Sequence, residues 1–218
     1  MTRIKHHPSD DVLLKYVTGQ YDTAYSLVLA THLSQCVCCQ NSVALHQEVA
    51  GATLRECEPV AMQGSALDLL DRQDDVAVEP ELAYPPKKVA KDPTVPSILS
   101  AYLGETLEKL NWQRLTKDLK QFVIETEGKA KARLLWMAPG KAVPPHGHRG
   151  EEMTMILSGG YYDGDEAYTA GDLHIADHHN SHVPTAMEDK PCIVLAATDE
   201  PLIFSGLLPK LFQPFYKI

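Results

Sequence analysis

Between residues 9 and 72 the apolar positions recur with the spacing of helices. Ser9 or Asp10 can cap the first helix, which ends near Gly19, and Thr23 can cap the second. The second helix carries apolar side chains over most of its circumference. The predicted helices span residues 12–17, 24–34, 37–54 and 65–72.

The pattern changes in the second half of the chain to short β segments separated by turn residues. A short helix at 98–103 precedes them. Glycines punctuate the segments at Gly140, Gly159, Gly160, Gly164 and Gly171, as a small β-sandwich or barrel requires. The predicted strands span 122–126, 131–138, 153–158, 167–169, 172–175 and 192–197.

Residues 74–96 separate the two halves and contain five of the fifteen prolines with little regular period. Such a stretch is typical of a linker. The sequence therefore predicts two domains, a helical one over 1–73 and an all-β one over 97–218, joined by a proline-rich linker at 74–96.

Composition narrows the function classes. The 218 residues are 44% hydrophobic and 22% charged, as expected for a soluble globular chain, and the net charge is −9. An acidic chain has no surplus of cations with which to bind nucleic-acid phosphates, so direct nucleic-acid binding is not expected. The N-terminus has no apolar signal segment, and no stretch approaches the roughly 18 residues that span a bilayer. We therefore expect a cytoplasmic protein without a membrane anchor.

The first candidate site is the His-x3-Cys-x2-Cys segment formed by His32, Cys36 and Cys39. This spacing can place an imidazole at the end of one helix over two thiolates at the start of the next. Two thiolates and two neutral imidazoles make a closed tetrahedral zinc site, so a fourth ligand must come from elsewhere in the chain. His7 is the preferred candidate because an arm held at the site would tie the first helix to the next two, and His6 is the alternative.

Other interpretations of this segment stay open. Cys38 lies between the two predicted ligands and could compete with them. The cysteines could also be small core residues, with His32 as a helix cap. Redox chemistry at Cys36 and Cys39 is compatible with zinc, because oxidised thiolates release the metal.

With its His-x3-Cys-x2-Cys and upstream His, the segment from about residue 5 to residue 72 resembles the zinc-binding anti-sigma domain. The resemblance implies a small four-helix unit that inserts between the two main domains of an extracytoplasmic-function-type sigma factor. The sigma factor is thereby kept from the RNA polymerase core.

The second candidate site reads Gly-x5-His-x-His-x3-Glu-x6-Gly from Gly140 to Gly159. His146 and His148 are two residues apart, so in a strand they face the same side, and Glu152 can join them after a turn. A further histidine, His182, follows Gly171 by eleven residues.

Both stretches resemble the two motifs of the cupin barrel, a jelly-roll fold whose usual metal shell is three histidines and one glutamate. The resemblance implies the ligands His146, His148, Glu152 and His182. The chain departs from the second motif at its turn, where Asp177, His178 and His179 stand, and at Ala186, which replaces an asparagine. His178 or His179 could thus be mistaken for the ligand, and the facing of His174 is open. Such a shell suits Zn, Mn, Fe or Ni, and we favour zinc.

The order of the two domains, through the tail at 208–218, resembles the ChrR-type anti-sigma factors. The resemblance implies that His7, His32, Cys36 and Cys39 bind zinc and that the partner is an extracytoplasmic-function-type sigma factor. It also implies that the cupin domain senses photo-oxidative stress, such as singlet oxygen, through a small-molecule or oxidant signal. This regulator is not expected to be an enzyme. The alternatives are a cupin dioxygenase or isomerase with an accessory zinc domain and, less favoured by the −9 charge, a DNA-binding activator.

Overall fold

A computed structural model describes residues 4–61, 64, 67, 92, 95–179 and 181–204. The helices within these residues are α1 (Asp10–Val17), α2 (Thr23–Leu33), α3 (Val37–Glu56) and α4 (Ser97–Leu103). Apart from Leu67, the predicted helix at 65–72 lies outside the described residues, as do most of the predicted linker and the tail at 208–218. The boundaries of the three predicted parts therefore stay a prediction.

The first helix begins two residues before the predicted span of 12–17, and Ser9, one of the two predicted caps, is its N-cap residue. The Ser9 hydroxyl accepts the backbone N–H of Val12 at 3.4 Å. The prediction for the second helix is wrong by one residue. Thr23 is already helical and Asp22 is the N-terminal cap residue. The Asp22 carboxylate makes no hydrogen bond to the helix and instead accepts the backbone N–H of Ala130, at 2.8 Å. One carboxylate oxygen of the N-cap residue is thus bonded across the fold, and α2 has no side-chain cap.

The strands that follow are short and pair in an antiparallel manner throughout the described residues. They are β1 (Gln113–Arg114), β2 (Leu119–Ile124), β3 (Lys131–Met137), β4 (His146–Gly147), β5 (Glu152–Ser158), β6 (Gly160–Asp163), β7 (Glu166–Thr169), β8 (Leu173–Ala176), β9 (Ser181–His182), β10 (Thr185–Ala186), β11 (Cys192–Thr198) and β12 (Ile203–Phe204). A six-stranded sheet runs in the order β1-β2-β3-β11-β5-β8, and two three-stranded sheets run β10-β6-β7 and β12-β4-β9.

The six-stranded sheet has two buried faces. Helix α2 packs on one of them, where Val28 and Leu29 meet Leu134, Met155 and Leu195 in one apolar cluster. Helix α2 is apolar over most of its circumference because it packs against the barrel on one side and against neighbouring helices on other sides. The helices and the barrel therefore share a hydrophobic core.

The opposite face of the same sheet is directed toward the two smaller sheets. Ile156 and Val194 alternate with the residues under α2 and pack with Tyr161 and Phe204. This arrangement confirms the predicted fold class, a small helical unit followed by an all-β barrel of the cupin type. No helix within the described residues combines the length and the apolar character needed to cross a membrane.

Candidate metal centres

Four side chains converge where the arm before α1 meets α2 and α3. His7 lies on the arm, His32 in the last turn of α2, Cys36 at the N-cap of α3 and Cys39 in its first turn. His7 Nδ1 lies 3.3 Å from Cys36 Sγ and 3.4 Å from Cys39 Sγ, and His32 Nε2 lies 3.4 Å from Cys39 Sγ. One donor atom from each residue falls within 4.8 Å of all the others. Ligands of a tetrahedral zinc lie roughly 3.3–3.8 Å from one another, so the spacing fits that metal.

The environment of this first cluster favours a neutral His32 imidazole and keeps the Cys39 thiol protonated unless a cation binds. Burial lowers the pKa of His32 to about 4, and its Nδ1 lies 2.9 Å from the carbonyl oxygen of Gly171. A donated bond to that carbonyl leaves Nε2 free to ligate. Burial raises the pKa of the Cys39 thiol to about 12, with the neighbouring Cys36 adding to the effect. A thiolate at this position therefore needs a bound cation beside it.

The two alternative ligands lie outside this cluster. The His6 ring lies against Tyr168 with centroids 4.2 Å apart, and its Nε2 is 3.2 Å from the carbonyl oxygen of Ala167. Cys38 is exposed and takes no part in the cluster. The structure thus distinguishes His7 from His6, which the sequence alone left open.

A second cluster lies inside the barrel, where three histidines meet. His146 on β4 and His182 on β9 are cross-strand partners, and their Nε2 atoms are 2.9 Å apart. His148 follows β4, and its Nε2 lies 3.1 Å from that of His182. All three rings are buried, and burial lowers the pKa of His146 and of His148 against the opposing charge of Glu152. Three converging imidazoles are a typical site for a transition metal.

Glu152, the fourth predicted ligand, lies beside this convergence point. Its Oε2 atom is 3.9 Å from His148 Nδ1, whereas the other nitrogen of that ring, Nε2, meets His182. Its Oε1 atom accepts a hydrogen bond from the Thr154 hydroxyl at 2.9 Å. The structure therefore brings three of the four predicted barrel residues together and leaves the carboxylate next to them.

Sequence reasoning missed Asp163 and left His174 open. Asp163 Oδ2 lies 2.9 Å from His182 Nδ1 and 3.7 Å from His174 Nε2, and the Tyr161 hydroxyl lies 2.8 Å from His174 Nδ1. Successive side chains of β8 point to opposite faces of the sheet. Leu173 belongs to the apolar cluster under α2, so the side chain of His174 points into the barrel. Asp163 stands in a Tyr-Tyr-Asp-Gly run that signals only a turn. His178 and His179 are exposed and contact each other.

Comparison with known proteins shows a similarity that extends over the whole chain. It is 41% identical over 215 residues to the anti-sigma-E factor ChrR of Cereibacter sphaeroides, an alignment that covers 99% of each chain. The chain belongs to the ChrR family. The model of the ChrR cupin-like domain matches residues 103–200. A chain in the crystal structure of Rhodobacter sphaeroides SigE in complex with the anti-sigma ChrR aligns with a TM-score of 0.77 and 40% identity, covering 90% of this chain and 100% of that one.

The likeness to ChrR extends over both candidate metal centres rather than over the barrel alone. The ChrR alignment includes the arm, the three N-terminal helices and the barrel. The predicted family resemblance is therefore confirmed for the helical and β parts together.

Proposed function

We propose that this protein is an anti-sigma factor. Its N-terminal helices bind and inhibit an extracytoplasmic-function-type sigma factor, and its barrel releases that partner in response to an oxidative signal such as singlet oxygen. Full-length similarity to ChrR, which has been crystallised in complex with SigE, supports the partner class. A partner that acts in transcription implies a cytoplasmic location.

The observation that carries this proposal is the exposed apolar surface of α3. Val37, Leu45 and Val49 lie on one side of the helix and expose between 59% and 66% of their surface, and Cys39 is the one side chain of this helix that is fully buried among the described residues. Apolar side chains that stay this exposed on a 20-residue helix typically mark a protein interface. We assign this surface to the sigma factor.

The first test is complex formation. Co-expression with the extracytoplasmic-function-type sigma factors of the same genome, beginning with any encoded beside this chain, should yield a one-to-one complex on gel filtration. Addition of the chain to a transcription assay should then suppress initiation from promoters of that sigma factor. Separate, unbound proteins at micromolar concentration with every such sigma factor would contradict the proposal.

Leu45→Asp and Val49→Asp should each weaken sigma binding at least tenfold. These residues are four apart and share one side of α3, and a charge there both removes apolar area and costs desolvation at an interface. Titration calorimetry with the purified sigma factor measures the change. Gln47→Asp is the matched control, since it adds the same charge to an exposed position on another side of the helix. If all three variants bound the sigma factor with the same affinity, the interface would lie elsewhere on the chain.

We further propose that both clusters bind a metal. Zinc bound by His7, His32, Cys36 and Cys39 would supply a structural cross-link between the arm, α2 and α3. His146, His148, Glu152 and His182 would hold the barrel metal, with the Glu152 carboxylate turning from Thr154 toward the three imidazoles. We favour zinc in the barrel as well, with Mn, Fe and Ni as the alternatives, and elemental analysis of protein purified without added metal distinguishes them.

Asp163→Asn should lower the affinity of the barrel cluster for its metal by about 10- to 100-fold. The carboxylate accepts from His182 Nδ1 and so holds the other ring nitrogen toward the metal. Competition with a chromophoric chelator measures the affinity, and Asp165→Asn, an exposed neighbour in the same turn, is the control. An unchanged affinity in Asp163→Asn would show that this contact does not orient the ligand.

The response to an oxidant needs its own experiment. Illumination of the sigma complex with a singlet-oxygen photosensitiser should dissociate the intact complex and leave a complex of the His146→Ala/His148→Ala variant associated. Dissociation of both to the same extent would assign the sensing to a different part of the chain.

A cupin enzyme, a dioxygenase or an isomerase, is the second candidate. The three converging imidazoles in the barrel are the observation that favours it. Full-length membership in the ChrR family favours the regulator. Substrate-dependent oxygen uptake by the purified protein would support the enzyme.

A further inference from the structure

We infer that the barrel positions the ligands of the N-terminal cluster, and that metal in the barrel cluster slows metal release from the N-terminal one through His6, Tyr168, His174 and Asp163. This inference rests on the two proposed metal sites and is independent of sigma binding. It makes these four side chains positioning residues rather than ligands.

Asp172 of the barrel is the first element of this link. Its side chain is fully buried, and Oδ1 accepts the backbone N–H groups of Lys5 and His6 at 2.6 and 3.0 Å. Its Oδ2 accepts the N–H and the hydroxyl of Thr169 at 2.8 and 3.0 Å. Burial alone would raise the pKa of Asp172, but these bonds outweigh it and lower the pKa below its usual value. A charged barrel residue thus holds the arm immediately before the candidate ligand His7.

The same stretch of barrel holds the second imidazole. The carbonyl oxygen of Gly171 lies 2.9 Å from His32 Nδ1, and the Leu173 N–H donates to the His6 carbonyl at 3.1 Å. Three consecutive barrel residues, 171 to 173, therefore bond the His32 ring and hold the backbone immediately before His7. Ligand orientation by such outer contacts affects metal affinity strongly.

A continuous series of side chains leads from the arm to the barrel cluster. The His6 ring packs on Tyr168 at 4.2 Å, and Tyr168 stacks on His174 at 4.3 Å with an interplanar angle of 20°. His174 Nε2 lies 3.7 Å from Asp163 Oδ2, and that same oxygen lies 2.9 Å from His182 Nδ1. His182 is at once the end of this series and a member of the barrel cluster.

These contacts hold an arm that borders an open cleft. A cleft of about 520 Å³ borders it, lined by Lys5, His6, His7, Ser9 and the barrel residues Tyr168 and His174. Loss of the barrel metal frees His182 and with it Asp163, so that His174 and Tyr168 no longer hold the His6 ring in one place. A less restrained arm then lets His7 leave its metal more often.

Cobalt substitution makes the release measurable. Thiolate-to-cobalt absorption arises only from the cysteine-containing cluster, so its decay in excess EDTA reports release from that cluster in the full chain. We expect His146→Ala/His148→Ala, which removes the barrel metal, to speed this decay about tenfold. In a Tyr168→Leu background the same substitution should change the rate less than twofold, because the link is already broken.

Control variants separate coupling from general damage. Tyr162→Leu alters a half-exposed tyrosine on β6 and should retain the tenfold effect, and Tyr168→Phe, which keeps the stacked ring, should retain it too. His6→Ala breaks the series at the arm without touching the barrel interior, and it decides the matter if Tyr168→Leu does not fold. A tenfold effect that persists in His6→Ala or Tyr168→Leu would overturn the inference.

Metal analysis distinguishes this failure from others. Two metals per wild-type chain, together with equal rates of release from the N-terminal cluster with and without the barrel ligands, would overturn the coupling alone. A single metal per wild-type chain would overturn the coupling together with the two-site proposal. In either case the sigma complex measured by gel filtration would still stand.

Discussion

Replacing Cys36 and Cys39 with alanine should unfold α1 and α3 and abolish sigma inhibition. The apolar cluster around these residues is small: Leu13, Cys36 and Cys39 are buried, with a few half-buried neighbours. Apart from Cys39, α3 buries little of itself in the described residues. Metal binding at structural zinc sites supplies on the order of 10 kcal/mol of folding free energy, which this cluster cannot replace.

The helix packed on the barrel should survive that substitution. Because α2 shares its core with the six-stranded sheet, hydrogen exchange should show protection lost in α1 and α3 and retained in α2 and the strands. Circular dichroism gives the lost helix content, and elemental analysis the lost zinc.

Cys38→Ala/Cys57→Ala is the matched control for the zinc prediction. Both of these cysteines are exposed and lie outside the cluster, so the variant should keep its helix content, its metal and its inhibition. Full inhibition by the Cys36→Ala/Cys39→Ala variant would contradict the zinc assignment.

Gly159→Ala should destabilise the barrel by about 2 to 5 kcal/mol. Gly159 has a φ of 71°, a left-handed conformation that costs other residues roughly 1–2 kcal/mol. A Cβ at this position would lie 2.4 Å from the carbonyl oxygen of Pro191 and 3.0 Å from the Cα of Cys192, and relief of such overpacking costs about 1 to 3 kcal/mol more. Urea unfolding of the purified chain measures the loss.

Gly164→Ala separates the two contributions. Gly164 has a φ of 58°, and a Cβ at this position would meet no other atom within 4 Å, so only the conformational cost of roughly 1–2 kcal/mol applies. Equal destabilisation by the two substitutions would show that the contact with the Pro191 backbone is relieved without cost.

Local pattern predicted most of the elements. The starts of α1 and α3 and the bounds of β5 and β11 lie within one or two residues of the predicted ones, because they depend on periodicity and on neighbours in sequence. The predicted cap of α2 is wrong because Thr23 is itself helical and Asp22 takes the cap position, where its carboxylate accepts from Ala130, 108 residues away, rather than from the helix. No local propensity records a partner at that distance.

The candidate sites likewise depend partly on local sequence and partly on packing between distant segments. By itself the sequence determined the kinds of ligand and their spacing: His32, Cys36 and Cys39 at one helix junction, and the paired His146 and His148 in the barrel. Only the tertiary structure decided that His7 and not His6 meets the thiols, that His174 faces inward, and that Asp163 contacts His182. Spacing along a helix or strand fixes which side chains share a face, whereas the partner across the fold is fixed by packing between segments more than 100 residues apart, as His32 and Gly171 are.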